Sequence, residues 1–425
     1  MSSERMRIAA LFLSVTTTAC GASNSSPGAG NDTSPTTSAG AAHRVTGFAT
    51  LPAATFLAGP TSGQFIDSAN GVEVPFDSRQ PVQGISSAVP LTADRFLAVS
   101  DNGFGAPENS ADYVLRTYEF EVVLGEDGRG QLEIVGGFTL SDPDRILGFD
   151  LIADSATYPG TDAPVDEAIR NDRLLTGADL DLESIQPAVD GGWWFGEELG
   201  PFLIRANATG QIIAPPVQLP SIVSPQHPDV PDVAPTIGRS AGFEPLARDA
   251  TGNLLAMIEK PMLEEARGAD AQGELRLFTI NEDGTARRTP MRYRLESGAV
   301  AATDLAHVAG DVFVTIERDD GDGPTPEFKR IYVIDFGTRD DEGFATKTLL
   351  VDLLAIPDPD GIAGATGTFR FPFQTPETVM VLGPSTLAIV SDNNYPFGNA
   401  RSATEPDGTE WIRIEFDAPI ADAIR

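Results

Sequence analysis

Residues 242–259 read GFEPLARDATGNLLAMIE. A short apolar run carries Glu244, the tetrapeptide Ala250-Thr251-Gly252-Asn253 makes a turn, and a second apolar run closes on Glu259. Alternating short apolar runs joined by a glycine-containing turn are the signature of a β-hairpin. The pattern returns four times. Ser86 opens a unit that closes on Asp101, Glu183 one that closes on Glu197 and Glu198, Asp304 one that closes on Glu317, and Glu377 one that closes on Asp392. Opening and closing positions lie 15 residues apart in four units, counting Glu183 to Glu198, and 13 apart for Asp304 and Glu317. A hairpin that recurs at long intervals and cannot bury its own apolar face implies a radial repeat, each copy the centre of one blade.

Outward from these hairpins the chain stays β-rich. TYEFEVV and QLEIVGGFTL flank the turn EDGRG (Glu126 to Gly130), and RLFTI precedes NEDG (Asn281 to Gly284). The sequence holds 42 glycines and 33 prolines, above the usual share of roughly 12 % for the two together, which demands many turns. Ala163 to Arg170 and Met262 to Ala266 read as short helical insertions, and PQHPDVPDVAP, 225–235, as a surface loop, because proline cannot sit in a central strand. The fold expected is all-β: a single propeller over 44–425, most economically of six blades, with five or seven as alternatives. The sixth blade is expected from Tyr113 to Leu140, and the strand after Arg44 as a clasp completing the last blade.

The N-terminus reads as an export signal. Arg5 and Arg7 precede the apolar run IAALFLSV, Ile8 to Val15, too short to span a bilayer. Cys20, the single cysteine, follows, and then comes a Gly/Ser/Thr-rich tether over 21–43. This arrangement resembles the lipid-attachment site of bacterial lipoproteins, with Cys20 as the lipidated residue, although Thr17 stands where that motif prefers an aliphatic residue. Simple cleavage and secretion is the alternative. The chain is therefore expected in the periplasm or cell envelope, or secreted. One cysteine excludes a disulfide framework or a thiolate zinc site. A net charge of −33 argues against nucleic acid or an anionic membrane surface as partner and fits a soluble protein that binds cations. A monomer acting on a small phosphorylated or ester substrate is expected, with contact to a membrane only through the lipid anchor.

In a propeller the inner strands of all blades end at one central channel, so acids at equivalent positions converge there. Crowded carboxylates raise one another's pKa, and a cation relieves them. Asp101, Asn102, Glu197, Glu244, Asp304, Glu377 and Asp392 are the metal-ligand candidates, with the amide oxygens of Asn393 and Asn394 in support. Many hard oxygen donors suit calcium. Glu183, Glu198, Glu259 and Glu317 are the catalytic candidates, and Lys260, Arg318 and Arg330, with Lys329 beside them, the cations for a phosphate. The competing reading makes these acids strand caps in ordinary ion pairs with Lys260, Arg318 and Arg330. Gly238-Arg239-Ser240-Ala241-Gly242 matches G-x-S-x-G by letter, but that elbow needs a strand-to-helix turn and here a strand follows. His43, His227 and His307 are too scattered for a catalytic or zinc role.

At a set of motifs the chain resembles the phytase-like, or "esterase-like activity of phytase", family of exported bacterial proteins. They are SDNG (Ser100 to Gly103), DLDLESI (Asp179 to Ile185), WWFGEELGP (Trp193 to Pro201), GFEPLA (Gly242 to Ala247), TDLAHV, TIERDDG (Thr315 to Gly321), RIYVID (Arg330 to Asp335) and VSDNNYPF (Val390 to Phe397). Ser184 and Pro245 replace the glycine the family mostly has after its acid, and Leu199 its tyrosine; no acid is lost. The resemblance implies a propeller related to alkaline, calcium-dependent phytases, and hydrolysis of a phosphate or related ester. A non-catalytic propeller that binds a ligand or envelope partner through the same face is the rival reading.

Overall fold

The computed structural model describes residues 42–228, 233–263, 273–287, 289–364 and 367–424. Cys20 and residues 21–41 of the tether lie outside them. Strand β1 (His43–Leu51) is followed by a small hairpin of β2 (Phe56–Ala58) and β3 (Arg79–Pro81). The first blade is β4 (Ile85–Pro90), β5 (Arg95–Ser100), β6 (Thr117–Leu124) and β7 (Arg129–Gly136). Helix α1 (Glu167–Asp172) precedes the second blade, β8 (Leu182–Pro187), β9 (Trp193–Glu197), β10 (Phe202–Ala206) and β11 (Ile212–Gln218). The third is β12 (Leu246–Arg248), β13 (Leu254–Met257), β14 (Glu274–Ile280) and β15 (Met291–Arg294), and the fourth β16 (Ala301–Ala309), β17 (Val312–Arg318), β18 (Lys329–Arg339) and β19 (Ala345–Asp352). After the short pair β20 (Ile356–Asp358) and β21 (Gly367–Phe369), the fifth contains β22 (Thr378–Gly383), β23 (Thr386–Val390) and β24 (Thr409–Phe416).

The fifth blade lacks a fourth strand from its own stretch of chain, and β1 supplies it by pairing antiparallel with β24, His43 opposite Phe416 and Leu51 opposite Thr409. The N-terminal strand is thus the expected clasp. It also runs parallel to β7 over Phe48–Thr50, joining the last and first blades into one eight-stranded sheet. The inner strands close a ring: β4 lies against β8, β8 against β12, β12 against β16, β16 against β22 and β22 against β4. This is the expected all-β propeller, with five four-stranded blades among the described residues instead of the favoured six. Tyr113 to Leu140 forms no sixth blade because its two strands, β6 and β7, are the outer half of the first. Of the two expected helices, the first appears as α1, a few residues later than read. Met262 and Leu263 adopt no regular structure, and residues 264–266 lie outside the described part.

Local chemistry explains the hairpins. In the turn between β12 and β13, Asp249 Oδ1 accepts the Thr251 and Asn253 backbone N–H groups at 2.8 and 2.9 Å, and Gly252 takes φ +88°, where a side chain would be strained. Apolar residues between neighbouring blades then make the core. Leu246, Leu255, Phe243 and Phe278 belong to one cluster, and Ile316, Val333, Ile389 and Ile412 to another. Each such fully buried side chain contributes about 1.5–3 kcal/mol of transfer free energy, and this packing holds the inner strand ends where the acids stand.

Candidate functional site

One backbone hydrogen bond recurs at the channel mouth. The N–H of Asp101 donates to Gly84 O at 2.8 Å, that of Glu198 to Asp181 O at 3.0 Å, that of Glu259 to Gly242 O at 2.9 Å, and that of Asp392 to Thr375 O at 3.1 Å. In each case the acceptor lies two residues before the opening position, so one register sets four blades. Register shifts at Ser86 and Glu183 mark bulges, which re-aim a side chain. Gly84 (φ +65°) leaves room for the first acid, since a Cβ there would come within 1.9 Å of Asp101 Oδ1.

The fourth blade keeps this register but not its residue types. Glu317 pairs with Ala302, as Glu197 pairs with Leu182, so the positions equivalent to Glu183 and Glu198 are Thr303 and Arg318, again 15 apart. Asp304 and Glu317 are each one residue out of step, and in a strand one residue turns the side chain to the other face. The structure accordingly places both away from the mouth. Glu317 accepts hydrogen bonds from Tyr293 and Lys347 between the third and fourth blades. Asp304 accepts the N–H groups of Leu305 and Val379, both at 2.8 Å, and burial pushes its pKa up to about 8. Glu197 has the same parity fault. Its carboxylate accepts the N–H groups of Leu199, Gly200 and Phe202 at 2.8, 2.8 and 2.7 Å, a closed structural role, with burial pushing it up to about 8. Arg330 pairs with Asp352 at 3.6 Å and stacks over Phe328, away from the mouth. Lys329 is buried and donates to Asp319 O and Gln374 O.

The remaining candidates do meet. A cavity of about 400 Å³ is lined by Asp101, Asn102, Glu183, Glu198, Glu244, Glu259, Glu377, Asp392 and Asn394, with Lys260 and Arg318. Asp181, Asp320 and Thr375 also line it, and sequence reasoning missed them. The signal for Asp181 was present, because Asp179, Asp181 and Glu183 alternate in DLDLESI, but counting one acid per strand hid it. Asp179 itself faces away and accepts from Ile152 N–H and Thr176 N–H and Oγ1.

Carboxylate oxygens lie within 4.8 Å of one another in three sets: Asp181, Glu183 and Glu198; Glu183, Glu244 and Glu377; and Glu198, Glu244 and Glu259. Glu183, Glu198 and Glu244 each belong to two sets. Neighbouring groups orient the surrounding acids. Asp101 accepts Gly103 N–H at 2.8 Å, Asp181 accepts Asn102 N–H at 3.0 Å and Nδ2–H at 2.6 Å, Asp392 accepts Asn394 N–H at 2.8 Å and Thr375 Oγ1 at 3.0 Å, and Glu198 accepts Gly242 N–H at 3.0 Å. Glu244 Oε1, by contrast, is buried with no hydrogen-bond partner. Burial, and after it mutual repulsion, pushes the Glu183, Glu198, Glu244 and Glu377 carboxyls well above the ordinary carboxylate range, and burial lifts Asp392 to about 6. Positive charge is scarce. Arg318 meets Glu259 at 2.9 Å and Asp320 at 2.7 Å, and Lys260 meets Glu259 at 3.0 Å and Ser240 O at 2.6 Å. Burial works against both cations, yet Glu259 and the other acids hold them above their ordinary values.

Ser240 touches this cavity with a left-handed backbone (φ +47°), but its segment is a loop with no helix after it. No histidine lines the wall: the His307 ring is bonded to Gly310 O, and His227 packs on Phe202.

Among curated proteins none matches this sequence. Solved structures similar to it include a luciferin-regenerating enzyme (8 % identity, covering 80 % of this chain and 96 % of that one, TM-score 0.35), the PQQ-bound aldose sugar dehydrogenase of Streptomyces coelicolor (13 %, 85 % and 99 %, 0.33) and the WD40 propeller domain of Doa1 (8 %, 89 % and 97 %, 0.35). The model of the family "Phytase-like: Esterase-like activity of phytase" matches residues 80–395, a span that includes all five inner strands and every acid of the cavity. The chain belongs to the phytase-like family.

Proposed function

We propose that this chain is a calcium-binding propeller that hydrolyses a phosphate ester or related ester at the acidic cavity. The observation that carries the reading is the sharing of Glu183, Glu198 and Glu244 among three sets of converging carboxylates, with Glu244 Oε1 buried and unpartnered. Unpaired buried carboxylate oxygens are costly, and a hard divalent cation is the partner that several such oxygens fit. Bound there, calcium supplies Lewis acidity toward a phosphoryl or acyl oxygen and a charge that returns the neighbouring carboxyls to their ionised form. Glu183, Glu198, Glu244, Glu259, Glu377 and Asp181 are the residues that would hold it.

The chain's own groups divide the remaining work. Asp101 and Asp392, fixed by the hydrogen bonds described above, keep the rim rigid. Arg318 and Lys260 face the cavity as donors for an anionic substrate oxygen, and the buried Arg318 Nε carries no hydrogen bond of its own. Glu259 holds both cations in place. Glu198 is the acid assigned to take the proton of the attacking water, since Gly242 N–H fixes one of its oxygens.

The reading includes export on the N-terminal signal, with Cys20 as the lipid-bearing first mature residue; it rests on the sequence pattern, and intact mass of the native protein decides it. The activity is tested with a panel of phosphomonoesters, phosphodiesters and carboxylic esters, with calcium and with a chelator. Turnover that the chelator abolishes supports the proposal. Calcium binding without turnover on any ester would instead leave a ligand-binding propeller.

A further inference from the structure

A second pocket, of about 520 Å³, is bounded in part by two of the loops that bound the acidic cavity and has a different character. Gln64, Phe65, Ile66, Asp67, Asn109 and Phe397 line it. Its location follows from strand direction. The second strand of each blade ends at the mouth, so β24 starts there, β1 ends there at Leu51, and the insertion between Leu51 and β4 lies over the junction of the fifth and first blades. Asn70, in that insertion, donates through Nδ2 to Pro396 O at 3.0 Å and Phe397 O at 2.8 Å and so ties it to the rim.

Two loops contribute different residues to the lining of each space. Asn394 lines the cavity, and Phe397, whose N–H donates to Asn394 O at 2.7 Å, lines the pocket. Gly105 lines the cavity, and Asn109, which donates to Phe104 O at 3.2 Å, lines the pocket. Phe397 is 43 % exposed, a large apolar ring held open to solvent, and Phe65 lines the same pocket from the insertion, packed edge-on against Tyr158 at 5.0 Å.

Charge separates the two spaces. The acidic cavity offers Arg318 and Lys260, while the pocket carries Asp67 and no cation among its described lining residues. A substrate with one anionic group can place it by Arg318 and Lys260. A second phosphate reaching the pocket would meet a carboxylate and two phenyl rings. We propose that this pocket takes the alcohol part of the ester, an uncharged apolar or aryl group, so that the substrate class is the monoester of a lipophilic alcohol and not a polyphosphate. The inference rests on the hydrolase reading above and sharpens it.

The test compares 2-naphthyl phosphate, glycerol 2-phosphate and inositol hexakisphosphate as substrates with calcium present. The expected order of kcat/KM is 2-naphthyl phosphate first and inositol hexakisphosphate last. Phe397→Ala should raise KM for 2-naphthyl phosphate about tenfold, the scale of a lost hydrophobic pocket contact, with kcat retained and a smaller change for glycerol 2-phosphate. Phe397→Leu, which keeps an apolar side chain on the loop, should recover most of the loss. Preference for inositol hexakisphosphate, or an unchanged KM in Phe397→Ala, overturns the proposal. Binding of 2-naphthol, followed by its fluorescence, needs no turnover and separates the two readings. Binding that Phe397→Ala and Phe65→Ala abolish supports the pocket even where no ester is hydrolysed, and absence of binding to the wild-type protein overturns it.

Discussion

Replacing Glu244 with glutamine should raise the melting temperature of the chelated protein and shrink the rise that calcium gives. Glu244 contributes to two of the three carboxylate sets, beside Glu183, Glu377, Glu198 and Glu259. At 4.8 Å and an effective dielectric constant of about 20, each ionised pair costs roughly 3 kcal/mol, so removing one charge relieves the chelated protein, by less than this sum because the raised pKa values already keep some of the acids protonated. Calcium stabilises the two proteins unequally. A ligand at a hundredfold excess over Kd stabilises the folded state by about 2.7 kcal/mol. For the folded unit Ala39–Arg425, with an unfolding entropy of roughly 0.8 kcal/mol/K, that is a rise in Tm of roughly 3 °C. If the glutamine variant binds about a hundredfold more weakly, the same calcium gives about 0.4 kcal/mol, under roughly 1 °C. Calorimetric melting of both proteins, with chelator and with calcium, reads all four values. A variant whose chelated Tm falls while its calcium shift stays intact would refute the reasoning.

Without calcium the protein should melt at lower temperature at pH 8 than at pH 5. Burial raises the folded-state pKa of Glu183, Glu198, Glu244 and Glu377 above 4.5, and that of Asp392 from 3.8 to about 6, so their stabilising contribution is complete below the unfolded values and is lost as pH rises through the folded ones. Calcium should recover most of the difference, and a chelated Tm independent of pH would oppose this account of the cluster. Glu197→Ala leaves three buried N–H groups without an acceptor and should cost roughly 3 kcal/mol, a fall of roughly 4 °C, with the calcium shift retained; loss of that shift would make Glu197 part of the metal site. Ser240→Ala should leave ester turnover unchanged in steady-state assay, whereas lost activity would replace the metal mechanism with a serine nucleophile.

Much of this was legible in the sequence because a propeller repeats itself. Glu183, Glu198, Glu244, Glu259, Glu377, Asp101 and Asp392 were found by one constant spacing, and the cavity gathers them all. Asp304, Glu317 and Glu197 show the limit. Each is an acid one residue from the inward position, and spacing alone does not reveal strand parity when bulges shift the register. The 13-residue interval between Asp304 and Glu317 was the visible warning. Strand pairing resolves it by showing that the fourth blade presents Thr303, a hydroxyl like Ser86 of the first blade, and Arg318, a cation where the other four blades carry an acid. The blade count erred for a related reason, since a hairpin's strands do not announce whether they begin a new blade or complete the one before. The aromatic pocket was not legible at all, because Phe65 and Phe397 are 332 positions apart and come to line one pocket only when the N-terminal strand closes the ring.

The central claim is that the converging carboxylates exist to hold a cation, and crystals grown with calcium test it most directly. The account predicts density for at least one ion bonded to oxygens of Glu183, Glu198 and Glu244 at about 2.3–2.6 Å, with Glu244 Oε1 among its ligands. A structure at the same calcium concentration showing only water among these side chains, with Glu244 Oε1 still unpartnered, would contradict it.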